Sequence, residues 1–209
     1  MLQRTSPPLR FYATALIRPG MRALLAAEIL WVMGYAALPV FFLLYAGAVL
    51  GLKPALASLW LAAFALGAGA AMIAAGFVRN PRLHKPFLAL GVALMGIGFL
   101  AAAASTSLVW VSVACASAAA GFGLISALAF SLFASPIPPG ESGGYTALYY
   151  ALRAAASALA VPLVGLTIAA TGSYRSLFLL GGVVTLSALL PVAFAPSPQT
   201  AADLTRHLR

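Results

Sequence analysis

Acidic side chains are nearly missing from this 209-residue chain: Glu28, Glu141 and Asp203 are all it has. That scarcity excludes a carboxylate pair for acid–base work and a carboxylate-rich metal cage. Histidine is as rare, with only His84 and His207. No His–Glu–x–x–His pair, Gly–x–Ser–x–Gly elbow or Gly–x4–Gly–Lys–Ser/Thr phosphate loop occurs. The single cysteine, Cys115, cannot close an intrachain disulfide and reads as a small buried apolar residue. The expectation is a protein that is not an enzyme and holds neither metal nor cofactor. Charge of any sign is sparse too, at 7% of residues, far below the roughly 25% of soluble proteins.

Apolar residues make up 63% of the chain, gathered in six long runs. They span roughly 23–46, 55–78, 87–104, 108–134, 145–170 and 177–194. A bilayer's hydrocarbon core takes about 20 helical residues, and backbone polar groups there must be satisfied within the segment. The runs lack the period-two alternation of barrel strands. The fold class is therefore all-α, a polytopic membrane protein of six transmembrane helices in one bundle. The domain reading is a basic lead-in at 1–22, a bundle at 23–196 and a tail at 197–209, with Pro19-Gly20 closing the lead-in. No cleavable signal is read in the lead-in, and the first run serves as its own signal.

The net charge of +9 would suggest nucleic acid in a soluble chain. Here its distribution speaks against that partner. With the N-terminus in the cytoplasm, nine basic residues fall inside: Arg4, Arg10, Arg18, Arg22, Arg79, Arg82, Lys85, Arg206 and Arg209. Two, Lys53 and Arg175, fall outside. Positive charge retained in short inner loops puts both termini in the cytoplasm of a plasma or bacterial inner membrane.

Two charges, Glu28 and Arg153, lie within spans. A charge at mid-bilayer costs about 2.5–3.5 kcal/mol on insertion scales, so each marks a functional site by default. Both helices enter from the inner side, and at 1.5 Å per residue the two depths nearly match, roughly 9 and 12 Å. An ion pair, or a shared polar cavity, is expected; the competing reading has each side chain snorkelling separately to the interface. Glu28, Trp31, Tyr35, Phe42 and Tyr45 share one face of the first helix, and Tyr149, Arg153 and Ser157 one face of the fifth. Ser112, Ser117, Ser126 and Ser131 make the fourth helix modestly polar. Tyr45, Trp60, Trp110 and Tyr174, near helix ends, read better as members of interfacial aromatic belts, which leaves Tyr45 with two competing explanations. Pro39 and Pro162 are expected to kink the first and fifth helices.

Four stretches carry a resemblance. Gly34 to Pro39, running into Tyr45 and Leu50-Gly51-Leu52, resembles the opening helix of one half of a major facilitator superfamily transporter. Gly76-Phe77-Val78-Arg79-Asn80-Pro81-Arg82-Leu83-His84-Lys85 is similar to that family's inner-loop signature, Gly–x3–Asp–Arg–x2–basic–basic. Asn80 stands in place of the acid, Pro81 in place of the first arginine, and Gly76, His84 and Lys85 keep the frame. Pro162 to Gly165 is similar to a shortened Gly–Pro–x–x–Gly motif, and Thr171 to Phe178 to the turn entering a half's last helix. The C-terminal half is the better match.

The resemblance implies a secondary transporter of a small solute by alternating access, with two six-helix halves and a midplane site between them. Glu28, Trp31, Tyr35, Tyr149, Arg153 and Ser157 then line the cavity, and Gly76, Asn80, Arg82, His84 and Lys85 form the inner gate. This chain supplies one unit. It pairs with itself, pairs with a separately encoded half, or is part of a longer product. The alternative is a non-transporting membrane module that assembles with another membrane protein.

Overall fold

The computed structural model describes residues 19–135, 137 and 142–195; most of the lead-in and the whole tail at 197–209 lie outside them. All six expected spans form helices long and apolar enough to cross a membrane. The first span is built from two helices, α1 (Pro19–Tyr35) and α2 (Leu38–Leu50). Then come α3 (Pro54–Gly76), a short 3-10 turn (Pro81–Leu83), α4 (His84–Ala104), α5 (Leu108–Ala134) and α6 (Ser142–Thr171). The sixth span is again double, α7 (Ser176–Ser187) and α8 (Leu189–Phe194).

Prolines account for both breaks. Pro39 has no N–H for the carbonyl of Tyr35, four residues back, and α1 ends at Tyr35. Pro191 does the same to Ser187, and α7 ends there. Pro39 thus divides the first span into two helices. Pro162 also strands a carbonyl, that of Ala158, yet α6 runs through it as one 30-residue helix. Pro19 and Gly20, at the end of the basic lead-in, are helical within α1.

α4 and α5 are the most intimately packed pair, and α5 also lies along α3. α7 packs on α4 and α1, and α6 on α1. Glycine makes close crossings possible: a Cβ on Gly91 of α4 would lie 2.9 Å from the carbonyl oxygen of Gly121 on α5. Without a hydrophobic force between helices in lipid, such close backbone approach supplies much of the packing. Phe178 of α7 centres an aromatic group, its ring 4.7 Å from Tyr45, 5.8 Å from Phe99 and 6.4 Å from Phe42. Tyr45 is fully buried there, so it is a core residue and not part of an interfacial belt. Trp110, 53% exposed, has the surface position that a belt requires.

The spans differ sharply in how much the bundle covers them. Between 39% and 44% of the first, third, fourth and sixth is buried, against 11% of the second and 17% of the fifth. α3 and α6 are therefore the helices least covered by this single bundle.

Candidate functional site

Glu28 is the only acidic side chain of the described residues and is completely buried. α1 presents it toward α6, whose turn at 149–153 brings two partners to one carboxylate. Arg153 Nη1 donates to Oε1 at 2.8 Å, and the Tyr149 hydroxyl donates to Oε2 at 2.6 Å. Both partners sit one helical turn apart on the same face, as side chains at i and i+4 do. The expected ion pair is present, and separate snorkelling is not what the structure holds.

Arg153 has further contacts on α1. Its Nη2 donates to the Tyr35 hydroxyl, and its guanidinium carbon lies 5.8 Å from the Tyr35 ring centre. The Tyr35 ring in turn meets Phe122 of α5 edge-on at 4.6 Å. Tyr149 is held from the other side by Phe130 and Phe133, at 5.4 and 4.9 Å. These α5 aromatics had no marker in the sequence beyond an i, i+3 spacing that any packed helix can show. They fix the ring that presents the Tyr149 hydroxyl, and so act on the carboxylate from one layer away.

The site residues divide by accessibility. Glu28, Trp31 and Tyr149 are buried, whereas the Arg153 side chain keeps 31% of its surface and Tyr35 is half-buried. The indole N–H of Trp31 is buried and meets no hydrogen-bond partner of good geometry among the described residues. Ser157, the third residue of the α6 stripe, is half-buried and makes no hydrogen bond to the group. Phe42 and Tyr45 leave the shared face altogether, because the break after Tyr35 reorients α2 toward Trp60 and Phe178. One helical phase cannot be carried across a break in the helix.

Beside Tyr35 lies a cavity of about 450 Å³ between the first, second and fourth spans. Its walls include Leu61, Phe64, Met72 and Phe122, with Tyr35 and Ser126 as polar points. The lining is otherwise apolar. Cys115 is half-buried, not fully enclosed, and lines a smaller groove of about 240 Å³ with Trp60 and Gly67. Among the described residues, no three His, Cys, Asp or Glu side chains come together.

The inner-loop motif is built locally. Asn80 Oδ1 accepts the Arg82 backbone N–H at 3.0 Å and caps the 3-10 turn. His84 Nε2 donates to the Val78 carbonyl at 3.0 Å, closing the loop on itself. Gly76 ends α3 with open space where a Cβ would stand. Lys85 reaches far: its Nζ donates to the carbonyls of Ala193 at 2.8 Å and Ala195 at 2.6 Å. It binds the start of the third span to the end of the sixth. Nothing in the sequence signals that partnership, which joins positions 108 and 110 residues apart.

The family model of the Major Facilitator Superfamily matches residues 23–208, nearly the whole chain. No curated protein matches it.

Proposed function

The chain belongs to the major facilitator superfamily and is a membrane transporter of that type, and we propose that it acts as one six-helix unit whose solute path follows the sparsely covered sides of α3 and α6. The observation that carries this reading is the junction of the buried Glu28 with Arg153, Tyr149 and Tyr35, beside the cavity that Tyr35 lines. A charge pair inside a membrane is expensive to maintain and is found where a protein handles polar solutes or ions. Tyr35 and Arg153 are the solute-contacting pair; Glu28 and Tyr149 hold the guanidinium in place. A solute is bound near the midplane, and rocking of two bundles exposes it to either side.

The second bundle covers α3 and α6. Exposed on α6 are Ala147, Ala151, Ala154, Ala155 and Ala158, small residues of the kind that let helix backbones meet. Lipid would be served as well by leucine there. A second copy of this chain or a separately encoded half supplies that bundle. Both termini and the loop carrying Arg79, Arg82 and Lys85 face the cytoplasm, in line with positive charge retained inside.

The test is solute-dependent stabilisation of the purified chain in lipid nanodiscs. A panel of small solutes is screened by thermal unfolding, with Tyr35→Ala and Arg153→Gln as controls. At least one solute should stabilise the native chain and neither variant. Copurification with an unrelated membrane protein and no response to any solute would support the assembly-module reading instead.

A further inference from the structure

We propose that the cleft between the last turn of α4 and the first turn of α7 holds one phospholipid with a single negative charge and a hydroxylated headgroup, its phosphodiester seated on Arg175. The cleft shares no residue with the Glu28–Arg153 group. Its volume is about 380 Å³, within the roughly 300–1,000 Å³ of small-molecule sites. Its lining joins Arg175, Ser173 and Thr171 to the apolar side chains of Leu100, Ala104 and Leu179.

Depth in the membrane orders these two kinds of residue. The sixth span, Ser176–Phe194, has 19 residues, about 28 Å of helix at 1.5 Å per residue, close to the roughly 30 Å of a hydrocarbon core. Arg175 directly precedes it and so stands at the boundary, where lipid phosphates lie. The Leu179 N–H donates to the Arg175 carbonyl at 3.1 Å, which places Leu179 one turn deeper on the same face. Leu100 stands one turn deeper than Ala104 in the same way. The cleft is thus polar at the membrane edge and apolar beneath it, the order of groups along a phospholipid.

The headgroup follows from charge. Glu28, the only acid of the described residues, is bound to Arg153, so Arg175 has no carboxylate partner among them. Its half-buried guanidinium offers a planar fork of donors that matches phosphate oxygens. The turn fixes where that side chain leaves the backbone. The Thr171 hydroxyl accepts the Ser173 N–H at 3.4 Å, and the Ser173 hydroxyl accepts the Arg175 N–H at 3.3 Å. The Ser173 hydroxyl proton has no acceptor among the described residues, which leaves it to donate to a phosphate oxygen. An ammonium headgroup would bring a second cation beside Arg175 with no acid to receive it, whereas a glycerol headgroup adds only hydroxyls. A free anion would gain nothing from Leu100 or from Leu179, which is 55% exposed. An acyl chain descending beside them covers both.

The experiment uses native mass spectrometry of the full chain in micelles doped with palmitoyl-oleoyl phosphatidylglycerol or phosphatidylcholine. One phosphatidylglycerol should be retained about tenfold more tightly than phosphatidylcholine. Arg175→Gln should erase that preference. Ala104→Trp fills the cleft, keeps the charge and should release the lipid, so it decides the matter if the arginine variant does not fold. Lys53→Gln removes an exposed cation at the same membrane end and should leave retention unchanged. Equal retention of the two lipids, or a preference that survives Arg175→Gln or Ala104→Trp, overturns the proposal. So does a preference lost equally in Lys53→Gln, which would mean general surface attraction. Inorganic phosphate that raises the unfolding temperature as much as phosphatidylglycerol does would show a free-anion site and overturn the lipid assignment.

Discussion

Lys85 Nζ lies 2.6 Å from the carbonyl oxygen of Ala195 and 2.8 Å from that of Ala193. The first turn of the third span thereby neutralises the unsatisfied carbonyl end of the sixth, where a cation is favoured by the helix dipole. Lys85→Met keeps the aliphatic stem and removes the charge. It should cost about 1–2 kcal/mol and raise hydrogen exchange at 190–195, with Lys85→Arg recovering most of the protection. Unchanged exchange in the methionine variant would show that the tether does not restrain α8.

The Glu28–Arg153 pair predicts non-additive damage. Glu28→Gln and Arg153→Gln should each destabilise by about 1–3 kcal/mol, below the range for a fully buried pair because Arg153 keeps part of its surface in contact with its surroundings. The double variant should cost no more than the worse single one. Thermal unfolding in nanodiscs measures all three, and simple additivity would mean the two side chains do not depend on each other.

Tyr149→Phe preserves the ring held by Phe130 and Phe133 and deletes only the hydroxyl on Glu28. A loss of about 1–2 kcal/mol is expected, for a donor removed from a buried carboxylate. Tyr35→Phe should cost less, because Arg153 retains Glu28. Equal losses would place the two hydroxyls on the same footing, contrary to their burial.

Gly91→Ala or Gly121→Ala forces α4 and α5 apart, since the new carbon meets the opposing backbone. Overpacking of this kind costs about 1–3 kcal/mol. Gly69→Ala and Gly76→Ala add a methyl to open space and should be neutral or slightly stabilising in unfolding assays. For Gly76 this is informative, because its place in the inner-loop motif has no packing counterpart in the bundle.

Matching depths along two helices was enough to pair Glu28 with Arg153, because rise per residue is fixed and a lone membrane charge needs a partner. All six spans were likewise readable, from length and apolarity alone. What spacing could not supply was rotation about a helix axis relative to its neighbours. Trp31 and Tyr35 are four residues apart, yet Trp31 is sealed in the core and Tyr35 opens on the cavity. Tyr45 carried two readings until the break after Tyr35 turned α2 toward Phe178. Lys85 offered no clue to its partner, since main-chain carbonyls at a helix end look alike in any sequence.

The coupled carboxylate and guanidinium also decide how the protein meets the membrane voltage. One elementary charge moved through the full field exchanges about 2.3 kcal/mol per 100 mV. Glu28 and Arg153, bound at 2.8 Å, form a unit of zero charge when both are ionised, and a displacement of that unit along the field does no electrical work. Arg153 alone would feel the full potential.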